Sequence, residues 1–106
     1  MPVKHIVQVS EMEKLVKEST SLIVIDFSAT WCGPCQRIGP IFEQLSGKYS
    51  DVVFVKIDVD EAAEIAEGYD VSCMPTFLFL KNGKEACKRL EGADPNALES
   101  NINKYK

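Results

Sequence analysis

The stretch Leu22–Ile23–Val24–Ile25–Asp26–Phe27, followed by Ala29–Thr30–Trp31–Cys32–Gly33–Pro34–Cys35, decides how the rest of the chain is read. Its first part is a short apolar run rich in β-branched residues, the pattern of a central strand covered on both faces. Its second part leads into Ile38, Ile41, Phe42 and Leu45 at helical spacing. A helix over Cys32–Tyr49 is therefore predicted, kinked where Pro40 removes a backbone hydrogen bond. Two cysteines three apart at a strand-to-helix junction lie within one turn and can close a small disulfide ring. Backbone N–H groups at a helix N-terminus stabilise an anion, so the Cys32 thiol is expected to ionise more easily than a free cysteine. Cys35, one turn further in, faces the core side with Ile38 and Phe42. Cys32 is then the candidate nucleophile on a substrate disulfide, and Cys35 the thiol that attacks the mixed disulfide and releases the reduced substrate.

The competing reading of the pair is half of a metal site. Zinc would want a second close pair, or histidines at ligand spacing. The other cysteines, Cys73 and Cys87, follow after gaps of 37 and 13 residues, and the single histidine is His5. No metal site is expected.

Working outward, Val52–Ile57 and Thr76–Leu80 are further strand candidates, and Lys81–Asn82–Gly83–Lys84 reads as a type I′ hairpin turn into a weaker strand over about Glu85–Leu90. Val3–Val9 contains a short edge strand. Ser10 with Glu13 forms a capping box for a helix carrying Met12, Leu15 and Val16. Asp60 caps a short helix through Glu67, closed by Gly68. Asp94–Pro95 opens a last helix to about Lys104. Alternation up to the third helix implies parallel strands, and the Asn82–Gly83 turn adds an antiparallel pair. The expected fold class is α/β, a mixed central sheet with helices on both faces.

The chain has 106 residues, of which 45% are hydrophobic, 26% charged and 8% aromatic, so a single domain spanning 1–106 with one core is expected rather than a disordered chain. A net charge of −4 argues against nucleic-acid or anionic-membrane partners. The longest apolar runs are too short to cross a bilayer. No signal-peptide core follows Met1–Pro2–Val3–Lys4, which points to a reducing, cytoplasmic compartment, where cysteines are free or catalytic more often than structural. Asp26 is the odd residue of the first strand. A carboxylate in an apolar run is costly to ionise, so its pKa is expected to rise toward neutrality.

Trp31–Cys32–Gly33–Pro34–Cys35, with Asp26–Phe27 before it and Met74–Pro75–Thr76 after it, resembles the thioredoxin family. The resemblance extends over nearly the whole chain, through Pro40, Val55–Lys56–Ile57–Asp58–Val59–Asp60, Lys81–Asn82–Gly83 and Gly92–Ala93. It implies the thioredoxin fold, a mixed five-stranded central sheet flanked by four helices. It implies that Asp26 lies beneath the cysteine pair and exchanges a proton with Cys35. It implies a cis Pro75 packed against the cysteines, with the neighbouring backbone pairing to the substrate as an added strand. Trp31, Gly33, Pro34, Met74, Pro75, Thr76 and Gly92 would form the substrate-binding rim. Cys73 would lie on the same rim, either as an inert thiol or as a regulatory one that oxidises to an intermolecular disulfide. Lys56 reads as a solvated strand-edge residue.

The same resemblance implies a protein disulfide reductase with no bound cofactor. Its electrons would come from NADPH through thioredoxin reductase, and its clients would include peroxiredoxins, ribonucleotide reductase and methionine sulfoxide reductase. The protein would be a monomer, with a Cys73-linked dimer on oxidation. Several positions depart from the family. Gln36 stands where lysine is usual, Ser28 where many bacterial members have tryptophan, and Gly39 loosens the Pro40 kink. The segment Gly83–Gly92 is one residue longer than is usual in the family, which suggests a β-bulge near Cys87. The competing functions are a disulfide oxidase or isomerase, disfavoured by Gly33–Pro34 between the cysteines, and a binding module gated by their redox state.

Overall fold

The computed structural model describes residues 3–106; Met1 and Pro2, part of the segment read above for a leader, lie outside the described residues. In chain order the elements are β1 (Lys4–His5), α1 (Val9–Glu18), β2 (Ile23–Ser28), α2 (Gly33–Lys48), β3 (Val53–Asp58), α3 (Ala63–Gly68), β4 (Thr76–Lys81), β5 (Lys84–Glu85), β6 (Leu90–Glu91) and α4 (Pro95–Tyr105). The sheet has six strands among the described residues rather than the five expected, because the weak last strand is split in two; its order is β1-β3-β2-β4-β5, with β6 also paired to β4.

Strands β1 and β2 both lie parallel to β3, as the alternation predicts. Strand β4 is antiparallel to β2, with Thr76 opposite Phe27 and Leu80 opposite Ile23. The reversal thus comes one connection earlier than the Asn82–Gly83 turn. The six-residue α3 advances only about 9 Å, and the segment after it is held at the end where β2 and β3 finish, with Met74 packed on Ala29 and the cysteine pair. The chain therefore enters β4 from that end.

Strand alternation sorts the core into two layers. Leu22, Val24, Phe77 and Phe79 meet Ile38, Phe42 and Leu45 of α2 and Leu98 and Ile102 of α4. On the other face Ile23, Ile25, Phe27, Leu78 and Leu80 meet Met12 of α1 and Ile65 and Ala66 of α3. Each such buried side chain contributes about 1.5–3 kcal/mol. Asp26 alternates onto the α2 face of the sheet, the same face as Leu22 and Val24.

Three local expectations are corrected. Helix α1 begins at Val9 with Gln8 at the N-cap and no side-chain cap, so Ser10 and Glu13 form no capping box. Val9 is drawn into the helix by packing on the α1–α3 layer. Helix α3 begins at Ala63, without a cap from Asp60; Asp58 Oδ1 instead accepts the N–H groups of Asp60 and Glu61. Gly68 is the last helical residue of α3, and the left-handed position after it is taken by Asp70, with φ 55°. The cap at Asp94 is as expected, its carboxylate accepting Ala97 N–H at 3.1 Å.

The weak last strand is present but broken. Asn82 and Gly83 have φ of 53° and 81°, the two positive angles of the predicted turn. Leu80 then faces Glu85, whereas Phe77 faces Leu90, so three steps on β4 match five on the returning chain. Ala86 N–H still reaches Phe79 O at 2.7 Å. The surplus residues therefore bulge between Ala86 and Leu90, around Cys87 as expected.

Candidate active site

Helix α2 starts where the apolar run of β2 ends, so its first turn projects from the end of the sheet. Cys32 is the N-cap, and its sulfur accepts the Cys35 N–H at 3.2 Å, the place a serine or aspartate oxygen would normally take. That amide and the helix dipole favour negative charge on Cys32 sulfur when the pair is reduced. Pro34 in the first helical turn removes no intrahelical bond, since its N–H would be among the unpartnered donors of that turn. Cys32 and Cys35 are joined as a disulfide, with Cα atoms 5.3 Å apart.

The pair is well covered, with Cys32 only 6% exposed and Cys35 3%. Ala29, Val59 and Met74 pack around it. Cys32 sulfur lies 3.6 Å from the Met74 carbonyl oxygen, and the Met74–Pro75 bond is cis, as the resemblance implies. Two contacts fix this segment: Thr76 hydroxyl donates to Cys73 O at 2.6 Å, and Gly92 N–H donates to Pro75 O at 2.9 Å. Gly92 has φ 113°, a conformation suited to glycine. The structure thus brings Cys32, Cys35, Met74, Pro75 and Gly92 together, with Gly33 and Pro34 exposed beside them. Thr76, expected on the rim, has its side chain buried and supports the Cys73–Met74 turn from below.

Trp31 is 67% exposed, so it is not part of the core. Its indole N–H donates to Asp60 Oδ2 at 2.9 Å, which restrains the exposed ring. The reading of Asp60 as a helix cap missed this role, because the partner lies 29 residues away. Cys73 is exposed, and its sulfur lies 3.3 Å from Glu91 Oε2. Glu91 is a second carboxylate of this surface that the sequence did not single out.

Asp26 is 1% exposed, and its Oδ1 is buried without a hydrogen-bond partner. Burial raises its pKa from 3.8 to about 7, opposed by the positive charge of Lys56. Lys56 is the residue opposite Asp26 on β3. It is no strand-edge residue: β3 is an inner strand, Lys56 is half-buried, and its ammonium lies where a Cβ on Gly39 would come within 3.9 Å. Among the described residues no three His, Cys, Asp or Glu side chains converge as a metal site, and no helix is long and apolar enough to cross a membrane.

Residues 3–104 match the family model described as Thioredoxin. The chain belongs to the thioredoxin family. It is 47% identical to the thioredoxin of Ictalurus punctatus over 107 residues, covering 98% of this chain and 99% of that one. A solved thioredoxin of Nicotiana alata superposes with a TM-score of 0.93 at 44% identity, covering 99% of this chain and 93% of that one. A further structure, from work on thiol resolution in a yeast mitochondrial peroxiredoxin through the glutathione and thioredoxin systems, gives 0.89 at 40% identity, over 96% of this chain and 94% of that one. Like other thioredoxins, this chain is a thiol–disulfide oxidoreductase: it reduces protein disulfides through a reversible Cys32–Cys35 dithiol–disulfide, and its clients are disulfide-containing proteins.

Proposed function

We propose that the work is divided as follows. The Cys32 thiolate attacks one sulfur of a client disulfide, forming a mixed disulfide and expelling the other client sulfur as a thiolate. Cys35 loses its proton to Asp26 and attacks Cys32 sulfur. The Cys32–Cys35 disulfide closes, and the client leaves with both sulfurs reduced, two electrons having passed to it. Trp31, Gly33, Pro34, Met74, Pro75 and Gly92 form the docking rim, with Thr76 beneath it, and the client's extended segment pairs with the backbone at Met74. The observation that carries this reading is Cys32 sulfur held between the Cys35 N–H and the Met74 carbonyl, beside a cis proline whose own carbonyl is occupied by Gly92.

The proposed setting follows from the family. Residues 1–106 act as one domain in the cytoplasm, with no bound cofactor, and NADPH recharges the pair through thioredoxin reductase. Peroxiredoxins, ribonucleotide reductase and methionine sulfoxide reductase are the proposed clients, the first supported by the yeast structure above. The protein works as a monomer, and Cys73 links two copies on oxidation. Without Cys35 the second attack cannot occur, so Cys35→Ser incubated with insulin is expected to accumulate a covalent adduct on Cys32 that dithiothreitol releases. Cys32→Ser should form none. Adduct formation on Cys73 or Cys87 instead, or insulin reduction by Cys32→Ser, would overturn the assignment.

A further inference from the structure

The substrate-docking segment is held at one end by Gly92, directly after β6 in the chain that returns from the hairpin. The same returning chain grips its other end. Helix α3 closes with Val71 N–H on Ala66 O and Asp70 N–H on Glu67 O, both at 3.0 Å, around the left-handed Asp70. This is the paired-bond closure normally built on glycine. It leaves the Tyr69 and Asp70 carbonyls without a helical partner. The Arg89 guanidinium takes them, donating to Tyr69 O at 2.6 Å and more weakly to Asp70 O at 3.5 Å. Its second nitrogen donates to Glu85 Oε2 at 3.2 Å, and the side chain is 23% exposed, so the group is fixed from two sides.

Arg89 reaches these carbonyls because it stands in the bulge between β5 and β6. A regular strand would match Ala86 through Leu90 rung for rung with β4. Here the surplus residues free the chain to turn one side chain toward the end of α3.

We propose that Arg89 is a positioning residue for disulfide reduction. It anchors the N-terminal end of the 69–75 segment while Gly92 anchors the C-terminal end, so the backbone at Met74 is presented to the client in one geometry. Arg89 touches neither cysteine; it acts through the backbone it holds. The inference rests on the reading of Met74 as the docking edge. Docking that must first order a loose segment is weaker, and the loss falls on binding and not on sulfur exchange.

The test compares wild type, Arg89→Ala, Arg89→Lys and Glu85→Gln in dithiothreitol-driven reduction of insulin and, with each protein reduced beforehand and freed of dithiothreitol, in single-turnover reduction of a small aromatic disulfide that does not need the groove. Arg89→Ala is expected to raise KM for insulin about tenfold with kcat within about twofold, the signature of lost uniform binding. Its rate with the small disulfide should stay at the wild-type level. Arg89→Lys, which can still donate to one carbonyl, should recover part of the KM. Glu85→Gln, which leaves the carbonyl bonds in place, should be close to wild type. An unchanged insulin KM in Arg89→Ala, equal losses on both disulfides, or a Glu85→Gln variant as impaired as Arg89→Ala would each overturn the role of Arg89. A wild-type protein that reduces the small disulfide but not insulin would overturn the docking reading itself, and Arg89 with it.

Discussion

Asp26 couples the stability of the molecule to its chemistry. Its carboxyl binds a proton up to about pH 7 when folded, but only up to about 3.8 when unfolded. Between those values the native state carries the extra proton, so stability falls as pH rises through this window, and the full cost is present above it. About three pKa units correspond to about 4 kcal/mol. Asp26→Asn, which keeps the shape and cannot ionise, is therefore expected to gain stability over wild type from pH 4 to pH 8, with no relative gain below pH 4. Denaturant titrations at several pH values measure it, and parallel curves would refute the shift. The same variant should lose the rise in mixed-disulfide resolution near pH 7, slowing release roughly a hundredfold if Asp26 is the base. The raised pKa was legible in the sequence, because a single acid in an apolar run has one physical outcome. The opposing charge was not: Lys56 meets Asp26 only through the register of two parallel strands.

Among the elements, glycine separates two kinds of backbone demand. Gly47 lies in α2 with nothing within 4 Å of where a Cβ would stand, so Gly47→Ala should stabilise the fold by about 0.5–1 kcal/mol. Gly83, equally uncrowded, has φ 81°, and Gly83→Ala should destabilise by about 1 kcal/mol through strain alone. Opposite shifts in unfolding midpoint are the check, and shifts of the same sign would sink the argument. Elements whose signals are local were readable in this way: the Asn82–Gly83 turn, the Asp94 cap and the strand-to-helix junction at Cys32. The failures share one cause. Asp60 has the composition of a cap, but a distant indole holds its carboxylate. Ser10 has that composition too, but Val9 packs and starts the helix earlier. The direction of β4 depended on where the segment after α3 packs, and the reach of Arg89 on how many residues the bulge absorbs; neither is written in any single residue.

For the whole molecule, net charge sets how two copies meet. The chain carries −4, and the exposed Cys73 sulfur lies beside the Glu91 carboxylate. Two molecules joining at Cys73 bring two such carboxylates together. Peroxide-driven dimer formation should therefore be faster in high salt, as the screening length drops from about 30 Å at 0.01 M to about 3 Å at 1 M. On a nonreducing gel the dimer should vanish in Cys73→Ser and persist in Cys87→Ser; dimer surviving in Cys73→Ser would remove the proposal.

The outline of the sheet has a consequence of its own. One margin is the two-residue β1, and the other is β5 and β6, two residues each, parted by the bulge. A row of free main-chain groups long enough to template a neighbour is missing from both margins among the described residues, and short or bulged borders are how sheets resist growing into one another. Such borders keep copies of the chain from pairing edge to edge. Resistance to fibre formation at high concentration is built into the shape of its borders rather than into any single charge.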